Sequence, residues 1–63
     1  MTYRIRRYSK RYKRFIYFAG QVDENNNHWV NDINESFIYL DKKECEKDLK
    51  KYKLKGVEIY GEE

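Results

Sequence analysis

A chain of 63 residues makes one domain, 1–63, with no room for a second, and at this size only about 60% of the unfolded surface is buried on folding. One cysteine and one histidine exclude an intramolecular disulfide and a structural zinc site, so the small core must rest on seven Tyr, three Phe and one Trp or on self-association, and a homodimer is one expectation. The net charge of +3 hides three blocks: residues 1–14 hold seven Lys or Arg and no acid, 15–41 five acids and no Lys or Arg, and 42–63 seven Lys against six acids.

The longest apolar run, Phe15–Ala19, is far short of the roughly 20 residues of a membrane span. No apolar stretch or small-residue cleavage pattern follows the basic N-terminus, so no secretory signal and no membrane contact are expected. A lone thiol without an export signal points to a cytosolic protein. Heavy use of Lys, Asn, Tyr and Ile without proline is what AT-rich codons supply, as in low-GC bacteria and their phages.

From Thr2 to Tyr8 the sequence TYRIRRY sets Tyr3, Ile5 and Arg7 against Arg4, Arg6 and Tyr8, the alternation of a strand, with charges suited to a sheet edge. Residues Ser9–Arg11 form a turn, or the strand continues through a bulge. Tyr12–Val22 is the clearest strand, apolar on both faces over Phe15–Ala19, as a central strand should be; Gly20 fits a bulge or strand end. The run Asp23–Asn27, DENNN, reads as a loop. His28–Ile33 is a further strand, Asn34–Glu35 a tight turn, and Ser36–Leu40 another strand.

The helix that follows carries the strongest local signals. Asp41 is its N-cap, Glu44 the reciprocal half of a capping box, and Leu40 with Cys45 a hydrophobic staple. Cys45, Leu49 and Tyr52 then recur as a narrow apolar stripe on a charged rod. Gly56 supplies a left-handed residue near the helix end, and Val57–Tyr60 resumes as a strand. The fold class is α+β: a small antiparallel sheet of three to four strands, one helix packed on one face, and a short C-terminal strand, in the order β-β-β-β-α-β or β-β-β-α-β. The helix should cover some of Phe15, Tyr17, Trp29 or Val30, and Phe37 or Ile38; alternation alone leaves the register open.

Candidate functional residues cluster in the basic N-terminal strand or arm, 1–14. There Arg4, Arg6, Arg7, Lys10, Arg11, Lys13 and Arg14 interleave with Tyr8 and Tyr12. Guanidinium and ammonium groups meet phosphates, and exposed rings stack on unpaired bases; the bland alternative is a solvated edge strand. Asp23, Asn25 and Asn27 fall at positions 1, 3 and 5 of a calcium loop. His28 stands where the glycine should be and Asn34 where the glutamate should be, so a hairpin loop is the better reading. His28, with Asp32 and Glu35 nearby in sequence, offers a His–carboxylate pair for general-base work, but in a strand His28 and Asp32 share a face about 13 Å apart, too far to hydrogen-bond directly. No phosphate-binding glycine loop, nucleophile elbow, metal set or cofactor motif is present, and no enzymatic role is expected.

The stretch YKRFIYFAGQVDENNNHWVNDINESFIYLDKKECEKDL, about residues 12–50, resembles the small arm-binding domains at the start of phage-type tyrosine recombinases, in which three strands precede a helix opening on a Lys/Glu-rich turn. That resemblance implies a sheet that reads DNA. Size and composition are also similar to small orphan proteins of phages and prophages, a class that often binds and blocks a host nucleic-acid enzyme or defence complex. The expected function is therefore a non-enzymatic binding protein that docks on and inhibits a host nucleic-acid-handling or defence protein. The alternative is direct DNA or RNA binding through the basic aromatic segment.

Overall fold

A computed structural model describes residues 1–24 and 26–62. The strands are β1 (Thr2–Ser9), β2 (Arg14–Asp23), β3 (Asn26–Val30) and β4 (Glu58–Glu62), with one helix, α1 (Lys42–Lys51), between β3 and β4. All neighbours pair antiparallel in the order β3-β2-β1-β4, so the fold is α+β. The C-terminal strand lies against the N-terminal one, from Thr2 opposite Glu62 to Arg6 opposite Glu58.

Strands β1 and β2 are separate and form a hairpin. Ser9 pairs with Arg14, and the Ser9 hydroxyl accepts from the Tyr12 N–H at 3.3 Å. Lys13 takes the left-handed conformation that closes the turn (φ 55°), a region that costs any side chain with a Cβ. Tyr12 thus sits in the turn, and β2 begins two residues later than the alternation implied.

The β1–β2 ladder runs only from Arg6 opposite Tyr17 to Ser9 opposite Arg14. Beyond it the strands part, and the expected strand Ser36–Leu40 fills the gap as a wedge. The Phe37 N–H donates to the Phe18 carbonyl at 3.0 Å, and Tyr39 exchanges both backbone bonds with Tyr3 at 2.8 and 2.9 Å. The gap leaves only these ladder positions, so SFIYL makes one bridge and no regular strand. Gly20, at φ 111° beside the register shift in the β2–β3 pairing, lets the wedge approach: a Cβ built there would lie 2.8 Å from the Phe37 ring.

The strand expected over His28–Ile33 ends at Val30. Asp32 instead caps a single 3-10 turn, Ile33–Glu35, its carboxylate accepting from the Asn34 N–H at 2.9 Å. Of the expected loop Asp23–Asn27, Asp23 closes β2 and Asn26 opens β3, and the Asp23 carboxylate holds the Asn26 backbone and side-chain amides at 3.0–3.1 Å. The calcium-loop reading also involves Asn25, which lies outside the described residues.

Asp41 caps α1 through the Lys43 N–H at 2.9 Å. The reciprocal bond is replaced: the Glu44 carboxylate lies 3.7 Å from the Lys47 ammonium. The staple does not form either, since Cys45 is fully buried while Leu40 points away, 80% exposed. The helix ends before Gly56. Lys53 N–H donates to Lys50 and Leu54 N–H to Leu49 around a left-handed Lys53 (φ 53°), the double bond of a Schellman motif with lysine where glycine is usual.

The stripe Cys45, Leu49 and Tyr52 packs on Ile5 and Phe18, joined by Tyr39, Trp29 and Ile59. Phe18 is the hub, its ring centroid 5.3–5.6 Å from those of Tyr52, Trp29 and Phe37. Because Phe18 faces the helix, Phe15 and Tyr17 lie on the opposite face of the sheet. Of the sheet residues expected beneath the helix, Trp29 is there and these two are not.

Candidate functional site

The cations of residues 1–14 have two fates. Alternation along β1 puts Arg4 and Arg6 on the face away from α1. Arg4 is 5% exposed, and its Nε donates to the Glu62 carboxylate at 3.0 Å. Its Nη1 donates to the carbonyls of Ile33 and Ser36 and to the Ser36 hydroxyl, the last at 2.9 Å. The 3-10 turn roofs this guanidinium, so Arg4, expected among the partner-binding residues, is an internal tie between β1, β4 and residues 33–36 and is withdrawn from the surface that the other cations share. Arg6 is half withdrawn. Its guanidinium carbon lies 3.9 Å from the Phe15 ring centre and 4.3 Å from that of Tyr60, and its Nε donates to Glu58 at 2.5 Å.

The remaining cations are outside. Arg7, Lys10, Arg11, Lys13 and Arg14 are all exposed, and among the described residues none forms an ion pair. The hairpin gathers them at one end of the sheet, with Tyr8 and Tyr12 more than half exposed among them. Arg11 stacks over Tyr12 at 5.5 Å and Arg7 over Trp29 at 4.4 Å. Tyr8 meets Phe15 edge-on at 5.4 Å, so the helix-free face continues from the hairpin as a band of Tyr8, Phe15, Arg6 and Tyr60.

Beside the hairpin base is an open cleft of about 530 Å³. Ile16 and Val30 form apolar walls, Tyr12 and Trp29 bring rings, Arg7 stands at one side, and Asn31, Asp32 and Glu35 supply polar groups. Sequence reasoning placed Arg7 and Tyr12 in the basic segment but joined neither to Trp29 and Glu35. The available signal was the sole tryptophan followed three and six residues later by acids.

His28 is exposed in β3, while the Asp32 carboxylate is engaged in capping the turn. Among the described residues no group of three His, Cys, Asp or Glu is placed to hold a metal ion. Burial, reinforced by Asp48, Asp41 and Glu46, pushes the Cys45 thiol up to about 11, which keeps it a neutral core group. Burial also raises Tyr39, whose hydroxyl donates to Asp48 at 2.6 Å. No described helix is long and apolar enough to cross a membrane.

Compared with known proteins, the chain matches no family model, no curated protein and no solved structure.

Proposed function

We propose that this protein is a non-enzymatic binding protein that grips a nucleic-acid strand with its β1–β2 hairpin. The observation that supports the reading is the convergence of Arg7, Lys10, Arg11, Lys13 and Arg14, none in an ion pair among the described residues, around exposed Tyr8 and Tyr12. A phosphate backbone supplies anions at regular spacing, and unpaired bases supply flat faces for the rings. Binding of a short single strand should weaken steeply with salt. Replacing Lys10, Arg11, Lys13 and Arg14 by alanine one at a time should each lower the magnitude of the log–log salt slope by about 0.7–0.9. Binding that is indifferent to salt and to all four replacements overturns the reading.

A second reading rests on the helix-free face. Tyr8, Phe15, Arg6 and Tyr60 form a continuous aromatic and guanidinium surface, the residue types that dominate protein–protein hot spots. On this reading the protein docks on a host nucleic-acid-handling or defence protein and inhibits it, with the hairpin steering the encounter. Tyr8→Ala and Phe15→Ala should then abolish capture of a partner from a low-GC bacterial lysate, while the hairpin alanines slow association only.

A further inference from the structure

The cleft beside the hairpin combines chemistries that a purely electrostatic grip does not need. Arg7 at its side selects an anion. Glu35, exposed and without a side-chain partner among the described residues, selects hydrogen-bond donors. Asp32 is less free, because its carboxylate already accepts from the Asn34 N–H. Tyr12 and the stacked pair of Arg7 and Trp29 offer flat surfaces. Arg7 gives an anionic group a partner at one side, and Glu35 and Asp32 give hydrogen-bond donors partners at the other, so an occupant that carries both satisfies the lining more fully than one of a single sign. The fitting ligand is planar, anionic at one end, and carries adjacent N–H donors at the other.

A nucleotide has this build, and the carboxylate chooses among the bases. An ionised carboxylate is acceptor-only and takes two parallel donors on its two oxygens. Guanine alone of the common bases presents two adjacent donors, N1–H and the N2 amino group, on its pairing edge. Adenine and cytosine present one donor beside an acceptor, and thymine and uracil one donor between two acceptors. Single strands are read in this manner, with splayed bases stacked on rings or guanidinium planes and bonded along their pairing edges. The cleft volume of about 530 Å³ lies within the 300–1,000 Å³ usual for small-ligand sites.

We infer that the cleft is a guanine subsite. An unpaired guanine enters with its ring against Tyr12 and the Trp29–Arg7 stack and donates N1–H and N2–H to Glu35, while its phosphate meets Arg7 and the hairpin cations. The inference rests on the nucleic-acid reading of the hairpin and adds a base preference to it.

Trp29 is the sole tryptophan, so its fluorescence reports occupancy of the cleft directly. Short dT strands carrying one central guanine, hypoxanthine or adenine should be titrated into the intact protein at low salt. The guanine strand is expected to quench Trp29 and to bind about tenfold or more tighter than the adenine strand, the usual worth of a bidentate base contact. Hypoxanthine, lacking the N2 amino group, should lose most of that advantage. Glu35→Gln, at an exposed position, should abolish the preference for guanine over adenine, while plain dT binds no more weakly than to the parent, because a carboxylate that repels phosphate has been removed. Equal binding of all three strands, still dependent on the hairpin cations, overturns the guanine subsite and leaves the hairpin reading standing. Failure of every strand to bind overturns both. Quenching by an arginine-containing peptide but not by the guanine strand overturns the subsite in favour of a protein ligand.

Discussion

The first six residues and the next eight draw on the same residue types and use them in opposite ways. In Thr2–Arg6, β1 has a neighbour at each edge, with β4 on one side and the Tyr39 wedge on the other, and Arg4 is roofed by residues 33–36. Its charge is consumed within the fold. In Arg7–Arg14 the ladder to β4 has ended at Arg6, the chain turns back on itself, and the cations stand in water. Whether an arginine is structural or available is thus decided by what covers its face and flanks its strand, and composition does not report either.

The sharpest way to break this contrast is Arg4→Ala. It removes the donor of the Ser36 carbonyl and leaves the partly exposed Glu62 carboxylate with the Thr2 hydroxyl alone among the described residues, and should cost about 2–4 kcal/mol, the loss of several hydrogen bonds to one buried charge. A denaturant midpoint unchanged within error would mean that Arg4 is no tie at all. Alkali attacks the same interior from the helix side. The folded thiol of Cys45 titrates near 11 against an ordinary value of 9.0, so its contribution is fully present below pH 9 and is lost as pH rises through 11. Raised Tyr39 acts in the same direction, its contribution being present below pH 10 and lost above it. Stability should therefore be flat up to about pH 9 and then fall, and Cys45→Ala should flatten the onset of that fall in a urea-midpoint series.

Arg6→Ala removes two ring contacts and a partly exposed ion pair, for a loss of about 1–2 kcal/mol. It should fall between Arg4→Ala and the hairpin replacements in the same assay. Lys13→Gly should raise stability by about 1 kcal/mol, because it relieves the left-handed turn residue without touching a packed group. Smallest of all, Lys10→Ala and Arg11→Ala should stay within about 0.5 kcal/mol of the parent, and their effect should appear in the salt dependence of binding. A destabilisation comparable to that of Arg4→Ala would erase the distinction between the two regions.

What could be read without coordinates was whatever depends on neighbours a few residues away. Asp41 as cap and Cys45, Leu49 and Tyr52 as stripe follow from helical spacing, and the central position of β2 follows from Phe15–Ala19 being apolar on both faces. What escaped depends on residues far apart. The alternation in TYRIRRY shows that Arg4 shares a face with Arg6 and Tyr8, but nothing in it announces that Ile33 and Ser36, 29 and 32 residues on, supply the roof. SFIYL has the composition of a strand, yet its pairing is limited by the opening between β1 and β2. The candidate cleft was half legible: Arg7 and Tyr12 stood out by charge and aromatic content. Trp29 and Glu35 reach them only through the β2–β3 pairing and the 3-10 turn.

The ladder between β1 and β4 also sets an order of assembly. Its side-chain ties span 52 residues from Arg6 to Glu58 and 60 from Thr2 to Glu62, nearly the longest separations the chain allows. On a ribosome β1 emerges from the exit tunnel well before β4 and waits for it. The β1–β2 hairpin closes locally in the meantime, on a microsecond scale, so the basic tip is in place while Arg4 still lacks Glu62. Native contacts of such separation slow folding, and the nascent chain holds an unpaired edge until β4 emerges. A guanidinium that cannot be buried without its carboxylate makes that waiting edge a poor seed for misplaced strands.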